Sequence, residues 1–186
     1  MAAMNVRVLV TGGTFDKDYD ELTGALSFRR THVPEMLRLG RCRLRARVTT
    51  LMMKDSLFMT AADRGRILAA CRRAPETRLV VTHGTDTLAE TAAVLGRGLK
   101  DKTVVLTGAM RPYRFGSSDG LFNLGSALSF AQSLPPGVYV AMNGLCFPWD
   151  DVRKDRRRGV FTTKRVSAAA VGAESRTTRT RQAGRG

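Results

Sequence analysis

The chain has 186 residues, of which 43% are hydrophobic, enough for one domain that buries roughly 70% of its unfolded surface. Its 31 Lys and Arg against 16 Asp and Glu give a formal net charge of +15. Aromatics are only 6% and are not interleaved with the arginines as single-strand platforms require, so the charge predicts nonspecific adsorption to polyanions and no specific nucleic-acid partner. Three widely separated cysteines, Cys42, Cys71 and Cys146, never form a C-x-x-C pair, which argues against a disulfide framework or a thiolate zinc site and fits a reduced, cytoplasmic setting. No apolar segment approaches the roughly 20 residues that span a membrane, and no signal-type apolar region precedes the first strand.

Apolar, β-branched runs recur along the chain as "VRVLV", "LRARVTTLMM", "RLVVT", "TVVLTGA" and "GVYVAMNG", and segments with helical spacing separate most of them. That alternation predicts an α/β fold: a parallel sheet flanked by helices in a Rossmann-like, three-layer domain. Thr60 with Asp63, and Thr87 with Glu90, read as capping boxes opening two helices, the second with Leu88, Ala92 and Leu95 on one face. A further helix follows "SSDG", with Leu121, Leu124 and Leu128 as its apolar stripe, and stops at Pro135 and Pro136. From Ser167 the chain turns to Ala, Gly, Ser, Thr and Arg with little to bury, so residues 1–170 are read as the folded domain and 171–186 as a basic, disordered tail.

In an open parallel sheet, ligands collect beyond the carboxyl ends of the strands, where loops and helix N-termini bring free amides together. Five loops fall there: "TGGTFDKDYDE", "KDSLFMT", "HGTDT", "GAMRP" and "NGLCF". Read alone, "TGGT" is a glycine turn that presents the Thr14 hydroxyl, and it is neither a dinucleotide nor a phosphate loop. Thr85 and Asp86 stand at a helix entrance, where Asp86 serves equally well as a helix-dipole acid. With His32 as its one companion, His83 makes neither a metal cluster nor a Ser-His-Asp relay and is read as structural.

Taken together, "TGGT", "THGTDTLAETA", "LTGAMRP" and "SSDGLFNL", in this order and at these spacings, resemble the bacterial-type L-asparaginase family over about Val8 to Lys164. The resemblance implies an amidohydrolase converting L-asparagine to L-aspartate and ammonia without cofactor or metal. It makes Thr14 the nucleophile that forms a β-aspartyl ester. Thr85, Asp86 and Lys154 become a proton-handling triad, with Asp86 also gripping the substrate's α-amino group. Ser56, beside Asp55, binds the α-carboxylate, and Tyr19 is the lid tyrosine. A threonine hydroxyl is inert until a neighbour takes its proton, and a lysine desolvated in a closed pocket can act as that base.

The pattern departs from the family where Leu57 replaces a Gln after the serine. The chain also resembles the single-domain form, without the C-terminal domain that supplies an acid to a neighbouring subunit's site. An exposed cleft of that kind predicts a homo-oligomer, with Trp149 in "LCFPWDDV" as an anchor or as a cover for the sheet edge. A broader asparaginase and glutaminase is the near alternative. A catalytically weak amino-acid-binding regulatory protein is the alternative from another class.

Overall fold

A computed structural model describes residues 4–165 of the chain. Its strands and helices run β1 (Asn5–Gly12), β2 (Lys17–Tyr19), β3 (Leu26–Phe28), α1 (Val33–Leu39), β4 (Arg45–Lys54), α2 (Ala61–Arg73), β5 (Arg78–Thr82), α3 (Leu88–Gly98), β6 (Thr103–Thr107), α4 (Gly120–Ser133), β7 (Gly137–Met142), β8 (Leu145–Pro148), β9 (Arg153–Asp155) and β10 (Val160–Thr162). The main sheet has the order β4-β1-β5-β6-β7-β8. All neighbours pair in parallel except β8, which runs antiparallel to β7.

Strand side chains alternate between two buried faces, as a pleat with helices on both sides demands. On one face Val6, Val8 and Val10 of β1 pack with Val80, Val105 and residues of α1 and α4, among them Val33, Met36, Leu124 and Ala127. On the other, Leu9, Leu79, Val81, Val104 and Leu106 meet Ile67 and Cys71 of α2 and Leu88, Ala92 and Leu95 of α3. Each fully buried Leu or Ile contributes about 1.5–3 kcal/mol, so the two clusters hold the three layers together. The expected α/β, three-layer architecture is what the chain adopts.

The chain passes from β1 to β4 on one side, then crosses back to β5 on the other. The strand order therefore reverses between β1 and β5, which opens a crevice beyond their carboxyl ends. The loops carrying Thr14 and Thr85 leave from these two strands.

Several local readings change. Thr60 and Asp63 do form the reciprocal capping box, but Thr87 makes no side-chain cap to α3; its hydroxyl donates instead to the Ser56 carbonyl at 2.9 Å, and Glu90 accepts from Arg64. Leu121 is exposed, and the buried stripe of α4 runs through Asn123, Leu124, Ala127, Leu128 and Ala131. "NGLCF" is a tight hairpin into β8, with Asn143 and Gly144 at φ 54° and 81°, the left-handed pair that a two-residue turn needs. Trp149 lies across Gly96 of α3, where an added Cβ would come within 2.2 Å of its ring, a contact within its own chain. The tail from residue 171 lies outside the described residues.

Candidate active site

The site is built on a contact between two glycines. Gly13 ends the β1 turn at φ +83°, and a Cβ there would lie 2.3 Å from the backbone nitrogen of Gly84. Only glycine lets the loops after β1 and β5 approach so closely. Gly84 in turn faces Ser56, whose Oγ would sit 2.5 Å from a Cβ added there. Thr14, Ser56 and Thr85 thus come together as chain neighbours or direct contacts of this pair. Backbone and hydroxyl bonds stitch the loops: the Gly13 amide donates to the Lys54 carbonyl at 3.1 Å, and the Thr11 hydroxyl to the Thr82 carbonyl at 2.8 Å.

Lys154 reaches this crevice from the β9–β10 hairpin. Its Nζ donates to Thr85 Oγ1 at 2.8 Å and to Asp86 Oδ1 at 2.8 Å. Thr85 is buried and the lysine side chain is 12% exposed, so these hydrogen bonds are little weakened by competing water. Gly108, after β6, closes the far wall: a Cβ there would meet the His83 carbonyl and the Thr85 methyl. Three expected residues, Thr85, Asp86 and Lys154, are thereby hydrogen-bonded into one group. Thr14 sits beside it, half-buried, on a short 3₁₀ turn.

Ser56 is buried, and its Oγ has no hydrogen-bond partner among the described residues. An unpaired buried hydroxyl costs free energy unless something fills its need. Asp55 accepts from the Leu57 amide at 3.0 Å and from Lys17 Nζ at 2.6 Å. Burial pushes its carboxyl up, but the Lys17 and Leu57 bonds outweigh that and hold it below the usual carboxylate range. Leu57 is exposed.

Tyr19 makes no side-chain hydrogen bond to this group among the described residues. It is half-exposed on the β2–β3 hairpin, opposite Leu26, and lines a separate cavity of about 840 Å³ with Asp18, Arg29 and Arg114. His83 is fully buried; its Nδ1 donates to the Gly84 carbonyl and its Nε2 accepts from the Thr91 hydroxyl, both at 2.8 Å. Burial holds it down to about 4, so it is a neutral strut beneath Gly84 and Thr85.

Three participants escaped the sequence reading. Lys17 was missed because nothing local tells a loop lysine what it faces. Asp119 accepts from the Met110 and Arg111 amides. Asn123 donates to the Gly108 carbonyl and to Asp119, while its own oxygen accepts from the Asn143 amide. The polar pair of "DGLFN", four residues apart in an otherwise apolar helix, was the available signal: it brackets the loops after β6 and β7. No group of three or more His, Cys, Asp or Glu that could hold a metal occurs among the described residues.

Comparison with known proteins shows the family. The family model for the N-terminal domain of asparaginase matches residues 5–182, and the chain belongs to the asparaginase family. L-asparaginase 2 of Escherichia coli K12 is 33% identical in an alignment of 186 residues that covers 92% of this chain and 52% of that protein. A probable periplasmic L-asparaginase of Haemophilus influenzae is 32% identical, covering 90% of this chain and 51% of that one. Among solved structures, the thermostable L-asparaginase of Thermococcus kodakarensis superposes with a TM-score of 0.78 at 30% identity, over 88% of this chain and 52% of that chain. The chain spans about half the length of the relatives it matches. No helix among the described residues is long and apolar enough to cross a membrane.

Proposed function

We propose that this crevice hydrolyses the side-chain amide of L-asparagine to L-aspartate and ammonia. The observation that carries the reading is Lys154 hydrogen-bonded to both Thr85 and Asp86, on the loop whose Gly84 touches both Gly13, next to Thr14, and Ser56. Thr14 attacks the amide carbon while its proton passes to the Thr85–Lys154 relay. The tetrahedral adduct collapses with that proton on the departing nitrogen, and ammonia leaves. Water then cleaves the β-aspartyl ester, returning the Thr14 hydroxyl and releasing aspartate. Ser56 takes the substrate's α-carboxylate and Asp86 its α-amino group. Backbone amides of the 3₁₀ turn or of the β5–α3 loop would hold the oxyanion, each worth roughly 10² to 10³ in rate.

Residues 1–170 form the catalytic domain in this proposal. A cytoplasmic location is supported by the three unpaired cysteines; the periplasmic relative makes it a point for experiment. Homo-oligomerisation belongs to the same proposal: the triad lysine stands on a two-stranded hairpin outside the main sheet, which a second copy could brace.

Thr85 as the nucleophile is a second reading, favoured by its own bond to Lys154. Ammonia release by purified protein from L-asparagine, D-asparagine and L-glutamine, each at millimolar concentration, tests the proposal. Release from L-asparagine supports it. Release from L-glutamine at a similar rate widens it to both amides, and no release, with binding retained, makes the protein an amino-acid-binding one.

A further inference from the structure

The end of the sheet opposite the triad carries a second built surface. The amino ends of β1, β4 and β5 enclose a groove of about 630 Å³, lined by Asn5, Arg45, Arg47, Glu76, Thr77 and Arg78 among others. Its one lining carboxylate, Glu76, is held by Arg7 at 2.7 and 3.0 Å. The Arg7 bond, with the charges of Arg7 and Arg47, outweighs burial and keeps Glu76 ionised below its ordinary range. Arg45 and Arg47 are exposed and have no carboxylate partner among the described residues. Arg78 spends one nitrogen on the Ala131 carbonyl. The groove is therefore cationic after its internal pair is counted.

β4 is also the outer strand of the sheet. Its alternation places Arg45 and Arg47 on one face, and exposed Arg43 precedes them by two residues. Arginines at this period stand about 6.8 Å apart, twice the axial spacing of about 3.4 Å between phosphates on one strand of a duplex. Arginine grips phosphate in a planar fork. The groove lining includes no aromatic side chain on which an unpaired base could stack, which favours a duplex backbone over a single strand.

We propose that this arginine face binds the phosphate backbone of a nucleic-acid duplex without sequence preference, at the opposite end of the sheet from the amide-hydrolysing crevice. The proposal does not depend on the activity assigned to that crevice. Each phosphate neutralised makes the plot of log affinity against log salt steeper by about 0.9, and this supplies the test. The full chain is compared with its R43Q/R45Q/R47Q variant and a control triple, R30Q/R66Q/R97Q, the two triples each removing three charges at exposed positions. Each is titrated with a short duplex DNA of random sequence and with phosphatidylserine vesicles over a range of salt, after thermal melting confirms that both variants fold.

The expected result is a salt slope flattened by about 2 to 3 in the β4 triple and by less than about 1 in the control, with vesicles bound more weakly than DNA. Equal flattening in both triples would show that net charge alone attracts the duplex and would overturn the proposal. Tighter binding to vesicles, lost in the β4 triple, would also overturn it and make the face a membrane-binding one.

Discussion

Lys154 and Thr85, 69 positions apart in sequence, meet at 2.8 Å, and the same Nζ lies 2.8 Å from Asp86. A three-residue strand in a small hairpin has thus been folded over the mouth of a buried parallel strand to deliver one amine. Lys154→Met keeps the apolar stem and removes the donor. Ammonia release should fall by roughly 10² to 10⁴ with the circular dichroism spectrum unchanged. Lys154→Arg should not rescue it, because a planar fork neither fits between the two acceptors nor gives up its proton. Activity near wild type in Lys154→Met would remove the lysine from the mechanism.

Lys17 and Asp55 tie the root of the β2–β3 hairpin to the loop that carries Ser56, at 2.6 Å. Both side chains are about a fifth exposed, so the pair contributes little to stability, about 0–1 kcal/mol. Its value is in holding the Ser56 loop. Lys17→Met should raise KM for L-asparagine by about tenfold with a smaller change in kcat, measured by initial rates. An unchanged KM would leave the pair without a part in binding.

How much of this was legible in the sequence depends on element length. Strands β1, β5, β6 and β7 announce themselves as apolar runs, because a buried parallel strand has no polar face to show; β4, at the sheet edge, shows itself only through its second half, where Leu51, Met52 and Met53 follow the exposed Arg45 and Arg47. The three-residue strands β2, β3, β9 and β10 carry no periodicity to read, since pairing alone makes them strands. Lys154 therefore entered through its resemblance to a family rather than through its place in the fold. Thr87 shows the opposite failure: a valid local capping pattern yields to a tertiary bond with the Ser56 carbonyl. Asn143–Gly144 was a hairpin signal of the ordinary kind, hidden because an expected ligand loop occupied the same residues.

Gly13→Ala should cost both stability and turnover. An added methyl at φ +83° would press on the Gly84 backbone at 2.3 Å, where no flexible side chain can yield. A left-handed conformation alone costs a non-glycine residue about 1–2 kcal/mol, and parting the two loops separates Thr14 from Thr85. A lowered melting temperature with activity lost is expected. A fully active, equally stable variant would mean that the β1 and β5 loops need not touch.

His83 gives the protein a pH signature. Its folded value, about 4, lies below the ordinary 6.5 because burial penalises the charged ring. Between these limits the unfolded chain binds a proton that the folded one refuses, so stability falls as pH drops from about 6.5 toward about 4, by about 3 kcal/mol in all. Asp16, which burial shifts upward, works in the opposite sense, so the comparison must be with a variant. Urea denaturation of wild type and His83→Gln across this range should show the decline in the first and a shallower one in the second. Parallel curves would place the titration elsewhere.

The covalent intermediate tests the central claim most directly. Wild-type protein mixed with excess L-asparagine and quenched in acid within a turnover should carry an aspartyl ester that peptide mass spectrometry locates on Thr14. The ester should be absent in Thr14→Ala, while Lys154→Met forms it far more slowly. An ester found on Thr85 would reverse the roles of the two threonines, and ammonia release with no acyl-enzyme on either would contradict the account.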